Sequence, residues 1–195
     1  MRDLTSTEEK ILDKTLYLIG KTGTFNVPIR TIAKEADVNV SAINYYFRTK
    51  DEMLRLVKDF YIDNTISAYS ILDNNQYDDK EKIILCANEI MEYTLQYPGV
   101  LVILKEAKDK KDSSDIDAKI IEVTDTMNAK LDKILSSFFT ENQIDFQYKK
   151  MIFLSSLLYP TLHFDIQNFD EGIIHSKDER LKYITYIVDM LNKDN

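Results

Sequence analysis

The apolar positions between residues 28 and 54 fall into two short helical runs that meet at a turn and lead straight into a longer helix. Ile29, Ile32, Ala33 and Ala36 recur at helical spacing. Pro28 stands at the first-turn position, where its missing N–H costs nothing, so a helix of about two turns is expected to end near Ala36. A second helix follows at once, capped by Asn39 or Ser41 and made apolar on one side by Ile43 and Phe47, with Val38 as the plug between the two. Two short helices joined so tightly form a helix-turn-helix. The second one leaves Asn39, Val40, Ser41, Asn44 and Tyr45 outward, small or hydrogen-bonding groups with no acid among them. Such a face suits a polyanion.

The same periodicity organises the rest of the chain. Ser6-Thr7-Glu8-Glu9 reads as a capping box, and Ile11, Leu12, Thr15, Leu16 and Ile19 keep one face apolar until Gly20 and Gly23 stop it. That first helix is expected to pack on Ile32, Val38, Ile43 and Phe47, completing a three-helix head. From Lys50 an apolar face runs through Met53, Val57, Phe60 and Tyr61 to Leu72, a connector ended by the polar run at 73–76. Further helices are expected over residues 80–97, 100–106 and 120–138, the last ending around 140–143, with the charged run 105–117 a solvated loop. Residues 151–159 are apolar around most of a helical circumference, which a helix needs only when buried on several sides. With the last helix, 178–192, and its Leu181, Ile184, Ile187, Val188 and Leu191, they predict a four-helix bundle closed across a two-fold axis, hence a homodimer. A core helix within one subunit is the open alternative.

Composition fits this reading. Four Gly and three Pro in 195 residues are few, and β-branched residues do not alternate, so the fold class is all-α, with a head at residues 1–50 and a larger helical body at 51–195. The net charge of −8 at first opposes DNA binding. Its distribution changes that: residues 1–50 hold eight Lys or Arg against six Asp or Glu, a surplus of +2, so the remaining 145 residues carry −10. A mildly basic head on an acidic body would meet DNA head-first. One cysteine, Cys86, excludes an internal disulfide and any multi-thiolate metal site. No apolar stretch approaches the ~18 residues of a membrane span, and the polar start is no signal peptide, so a cytoplasmic protein with no membrane contact is expected.

Ile32-Ala33, Ala36, Val38-Asn39, Ala42-Ile43-Asn44-Tyr45, Phe47, Lys50 and Leu54 fall at the spacings of the TetR family of one-component bacterial regulators, which this chain resembles over its first quarter. Two positions depart from that pattern. Asp37 stands where the family usually has Gly in the turn, and Val27-Pro28 replaces the usual Thr or Ser before the second helix. Asp tolerates the left-handed conformation better than most residues, so the turn survives, while a phosphate-facing hydroxyl is lost. The resemblance implies a sequence-specific DNA-binding regulator. It would be a ligand-released repressor whose homodimer sets two recognition helices into successive major grooves of a near-palindromic operator. Arg30, Thr31, Asn39, Val40, Ser41, Asn44, Tyr45 and Lys50 are the residues expected to touch DNA. A helical protein-interaction module whose head does not bind DNA specifically is the alternative.

Catalytic chemistry is not expected. No Gly-rich phosphate loop, HExxH, CxxC or GxSxG occurs. The only histidines are His163 and His175, and His163 beside Asp165 reads as a hydrogen-bonded structural residue before it reads as a metal ligand or acid–base pair. No cofactor, metal or enzyme activity is therefore assigned. An unidentified small-molecule effector is expected in the body, among Tyr61, Tyr93, Tyr97, Met127, Phe153 and His163, aromatic and polar residues set into otherwise aliphatic helices. Acidic surroundings and several rings favour a hydrophobic or cationic ligand.

Overall fold

A computed structural model describes residues 4–139 and 142–192, and at positions 164 and 165 the backbone alone. Among the described residues the chain forms ten α-helices and no strand. They are α1 (Ser6–Thr22), α2 (Ile29–Glu35), α3 (Val40–Tyr46), α4 (Lys50–Tyr69), α5 (Asp79–Gln96), α6 (Val100–Lys110), α7 (Asp115–Phe139), α8 (Gln143–Gln167), α9 (Glu171–His175) and α10 (Lys177–Leu191); a 3-10 turn, Ser70–Asp73, follows α4. None of them is long and apolar enough to cross a membrane.

Four expectations change in detail. The capping box exists one residue earlier: Thr5 caps α1, its hydroxyl accepting from the Glu8 N–H while the Glu8 carboxylate accepts from the Thr5 N–H. Gly20 lies inside α1, which ends at Gly23 in the left-handed conformation (φ 68°). The charged run is mostly helical, since α6 continues to Lys110 and α7 begins at Asp115; i,i+4 pairing of Lys110 with Glu106 (3.0 Å) supports that extra turn. The short α9 was not foreseen. Of the end expected around 140–143, positions 140 and 141 lie outside the described residues.

By its contacts the chain divides into two units, Met1–Asn64 with Gln96–Val123, and Thr65–Leu95 with Thr124–Asn195. In the first, α1 packs on α2 and α6, and α2 on α3. Its core includes Ile11, Leu12, Thr15, Leu16, Ile19, Ile32, Ile43 and Phe47 of the set expected to build the head, while Val38 is only half-buried. Gly20 is required where α1 meets the start of α6: a Cβ on it would lie 2.1 Å from the Gly99 nitrogen. Beside that crossing the Tyr97 hydroxyl donates to the Asp13 carboxylate, and burial together with this bond raises the Tyr97 phenol well above its usual range. Gly20→Ala should force the two backbones apart at a cost of about 3 kcal/mol, roughly 10 °C in Tm for a chain of this size. An unchanged melting curve would show that the crossing yields without strain.

The second unit packs α8 and α9 on α10 around Cys86, Leu135, Phe139, Phe153, Leu157, Ile184 and Val188, with Phe139 and Phe153 edge to face at 5.8 Å. Burial, with a smaller push from Glu89, raises the Cys86 thiol to about 12. Since thiolate is the reactive form, iodoacetamide at pH 8 should label Cys86 only after denaturation; rapid labelling of the native chain would contradict this packing. The buried Arg180 donates to Asn88 (3.3 Å), to the carbonyls of Ile174 (2.9 Å) and His175 (3.1 Å), and to Glu92, tying α9 and α10 to α5.

Candidate nucleic-acid interface

The turn between α2 and α3 is built by Asp37, which takes the left-handed conformation at φ 51°. Its N–H donates to the Lys34 carbonyl (3.2 Å), and the Val38 N–H reaches back to the Ala33 carbonyl (2.9 Å). Those two bonds are the Schellman pattern that stops a helix, so Asp37 does here what Gly does in the family pattern. Asn39 then caps α3, its Oδ1 accepting from the Ala42 N–H at 2.7 Å and from the Ser41 hydroxyl. Both candidate caps are thereby joined: Asn39 caps, Ser41 braces it, and the Asn39 amide N–H groups stay available for a ligand.

Ile43 and Phe47 hold α3 to the core, while Val40, Ser41, Asn44 and Tyr45 are exposed. Tyr45 is 81% exposed and is met edge to face by Tyr46 at 5.2 Å. Arg30 and Thr31 are exposed on α2, and Asn39 is exposed in the turn. Lys50 is half-buried, its Nζ 3.4 Å from Asn26 Oδ1 in the segment before α2. Seven of the eight DNA-facing candidates are thus exposed on α2, the turn and α3, and the eighth is braced at the start of α4. Thr49 caps α4 by accepting from the Glu52 N–H (3.0 Å), but Asp51 and Glu52 occupy the first turn. Positive charge here comes from Lys50 and the exposed Arg48, not from the helix terminus, and Asn26 is a bracing residue the sequence pattern did not single out.

The six ligand candidates are dispersed. Tyr61 and Tyr97 belong to the first unit; Tyr93, Met127, Phe153 and His163 belong to the second. Phe153 fills core against Phe139, and the His163 ring packs 4.8 Å from Tyr159; the side chain of Asp165, its suggested partner, lies outside the described residues. None of the six lines either of two cavities in the molecule. One, of about 550 Å³, is a cleft in the first unit lined by Phe25, Arg55, Lys58, Glu106, Lys110 and Asp117, among others. Most of its charges are spent on one another: Lys58 lies 2.6 Å from Asp117 and 3.2 Å from Glu106, and 5.1 Å over the Phe25 ring. The other, of about 410 Å³, is apolar and lies in the second unit. Among the described residues no group of three His, Cys, Asp or Glu is placed to hold a metal.

This architecture is a helix-turn-helix head joined to a larger helical body. Residues 11–57 match the family model of bacterial regulatory proteins of the tetR family. Over 57 residues the chain is 42% identical to the probable HTH-type transcriptional regulator YttP of Bacillus subtilis (strain 168), a match covering 29% of this chain and 28% of that protein. A TetR-like transcriptional regulator from Rhodococcus sp. RHA1 shares the fold over 100% of both chains, with a TM-score of 0.65 and 11% identity. A TetR-family regulator from Bordetella parapertussis 12822 does so over 96% of this chain and 95% of its own, at 0.67 and 13%. The head is thus similar to the DNA-binding segment of tetR-family proteins, and the whole chain shares the fold of solved TetR-like structures. The sequence match to YttP spans under a third of that relative's length, and the family-model match lies within the head and the start of α4.

Proposed function

We propose that this chain is a DNA-binding transcriptional regulator, residues 1–50 reading DNA and residues 51–195 forming the dimer and receiving a ligand. The observation that carries the reading is α3: a capped helix behind a Schellman turn, with Val40, Ser41, Asn44 and the 81%-exposed Tyr45 outward and no acid among them. Hydroxyl, amide and phenol groups on such a face match base edges and phosphates, and Arg30 and Lys50 flank it with charge.

Homodimerisation is supported by a second apolar face on the closing helices. Leu157, Ile184 and Ile187 are buried inside the second unit, so they cannot make the bundle contacts expected of them. Ile144, Tyr148, Met151, Ile152, Tyr159 and Ile166 instead recur along the opposite side of α8, and Tyr186 and Met190 along α10, each more than two-fifths exposed. A patch of that extent on a soluble chain marks an association surface. Two copies joined there would carry two recognition helices, and a near-palindromic operator mirrors that symmetry. In this reading the protein is a cytoplasmic repressor released by a small molecule that binds the DNA-incompetent arrangement more tightly.

Selection of bound fragments from random duplex DNA by the full chain, followed by shift assays over a salt range, tests the reading. Lys50→Ala should weaken all sequences alike and flatten the salt slope by about one unit. Asn44→Ala or Arg30→Ala should cost about 1–3 kcal/mol on the selected site and little elsewhere. No enrichment of any sequence, with wild-type behaviour of all three variants, would leave the chain without this function.

A further inference from the structure

The apolar cavity of the second unit exists because α8 cannot finish regularly. Pro160 withdraws the N–H that would bond the Ser156 carbonyl. The Tyr183 hydroxyl of α10 donates to that carbonyl instead, at 2.8 Å. Three residues on, His163 leaves helical geometry (φ −133°), and Asn168 ends the helix in the left-handed conformation (φ 51°). The chain then folds back through α9, leaving a space of about 410 Å³ among α8, α9 and α10, within the range of small-molecule sites.

Its wall has a one-sided chemistry. Tyr159, Phe169 and Tyr183 contribute aromatic rings, the first two 6.2 Å apart and nearly perpendicular, and Ile173 adds an apolar edge. Asp170 is the one charged residue lining the cavity among the described residues. Its Oδ1 accepts from the Gly172 N–H at 2.8 Å, capping α9, which leaves carboxylate capacity to face a ligand. The Tyr183 hydroxyl proton is spent on Ser156.

We infer that this cavity binds a hydrophobic organic cation. Ring faces attract a desolvated cation, a carboxylate at the rim adds complementary charge, and among the described residues the lining holds no cationic side chain to meet an anion. That such a cation would serve as the effector rests on the regulator reading above; its binding does not.

The probes are tetraphenylphosphonium and tetraphenylborate, ions of nearly the same size and shape with opposite charge, titrated calorimetrically into the full chain without DNA. Tetraphenylphosphonium should bind at least tenfold more tightly. Asp170→Asn, which keeps the cap, should weaken it about fivefold, and Ile173→Arg at the half-exposed rim should invert the preference, both with an unchanged circular dichroism spectrum. Equal affinity for the two ions overturns the inference, as does wild-type cation affinity in both variants. So does binding seen only in the dissociated monomer, because the cavity would then belong to a second copy. Failure of the chain to bind any DNA would overturn the regulator reading and leave the cation result standing.

Discussion

Ile152→Glu should convert a dimer into monomers and weaken operator binding by two orders of magnitude or more, with the subunit still folded. Ile152 is 46% exposed in the subunit, so the new carboxylate stays hydrated in the monomer and costs it little. In a two-fold interface along the exposed side of α8, each copy would instead bury an unpaired charge, at several kcal/mol. Loss of the second head removes the intramolecular gain of binding a second half-site, commonly 10²–10⁴ in affinity. Sedimentation at micromolar concentration, circular dichroism and a shift assay on the selected operator read the three effects separately. Leu157→Glu is the control: Leu157 has no exposed surface, so that variant should lose DNA binding by unfolding the second unit. A wild-type chain that sediments as a monomer would remove the dimer and the explanation of the exposed stripe with it.

The contrast between Ile152 and Leu157 marks where periodicity stops being informative. Residues 151–159 are apolar on nearly every side, so spacing identifies a helix covered on several faces, but not which face its own subunit covers. The structure divides the labour, giving Phe153 and Leu157 to the core and leaving Met151, Ile152 and Tyr159 uncovered. The head was more legible because its signals are local. Pro28, which the structure sets just before α2 at the N-cap position and not inside its first turn, Asp37 tolerating φ 51° and Asn39 capping α3 each act within a few residues, and no distant contact reverses them. Gly20 illustrates the opposite case. Its helix-breaking reputation suggested an end, whereas a backbone crossing with Gly99, 79 positions away, requires it inside α1. The aromatic ligand candidates dispersed for the same reason: an aromatic at helical spacing fills core as readily as it lines a cavity, and Phe153 does the former. The apolar cavity arises instead from Pro160, whose backbone effect on α8 shows only once α9 and α10 are folded against it.

The second large effect is expected at the buried ion cluster beneath Phe25. Lys58 is 7% exposed and Asp117 1%, and their 2.6 Å contact joins α4 to the first turn of α7 within the unit that carries the helix-turn-helix. Removing one member of a buried pair leaves the other desolvated and uncompensated, about 3–5 kcal/mol, whereas replacing both by apolar groups of similar size is often nearly neutral. The two single variants should nevertheless differ. In Asp117→Ala, Lys58 keeps Glu106 at 3.2 Å and the Phe25 ring at 5.1 Å. In Lys58→Ala, Asp117 loses its cation while Glu106 still holds Lys110 at 3.0 Å. Lys58→Ala should therefore be the more damaging, lowering Tm by roughly 10–15 °C, with Asp117→Ala intermediate and Lys58→Met with Asp117→Leu close to wild type. Thermal denaturation of the four proteins gives the order directly. Strictly additive losses, with the double variant the least stable, would show that the ions are hydrated in solution and that the contact contributes no more than a surface salt bridge.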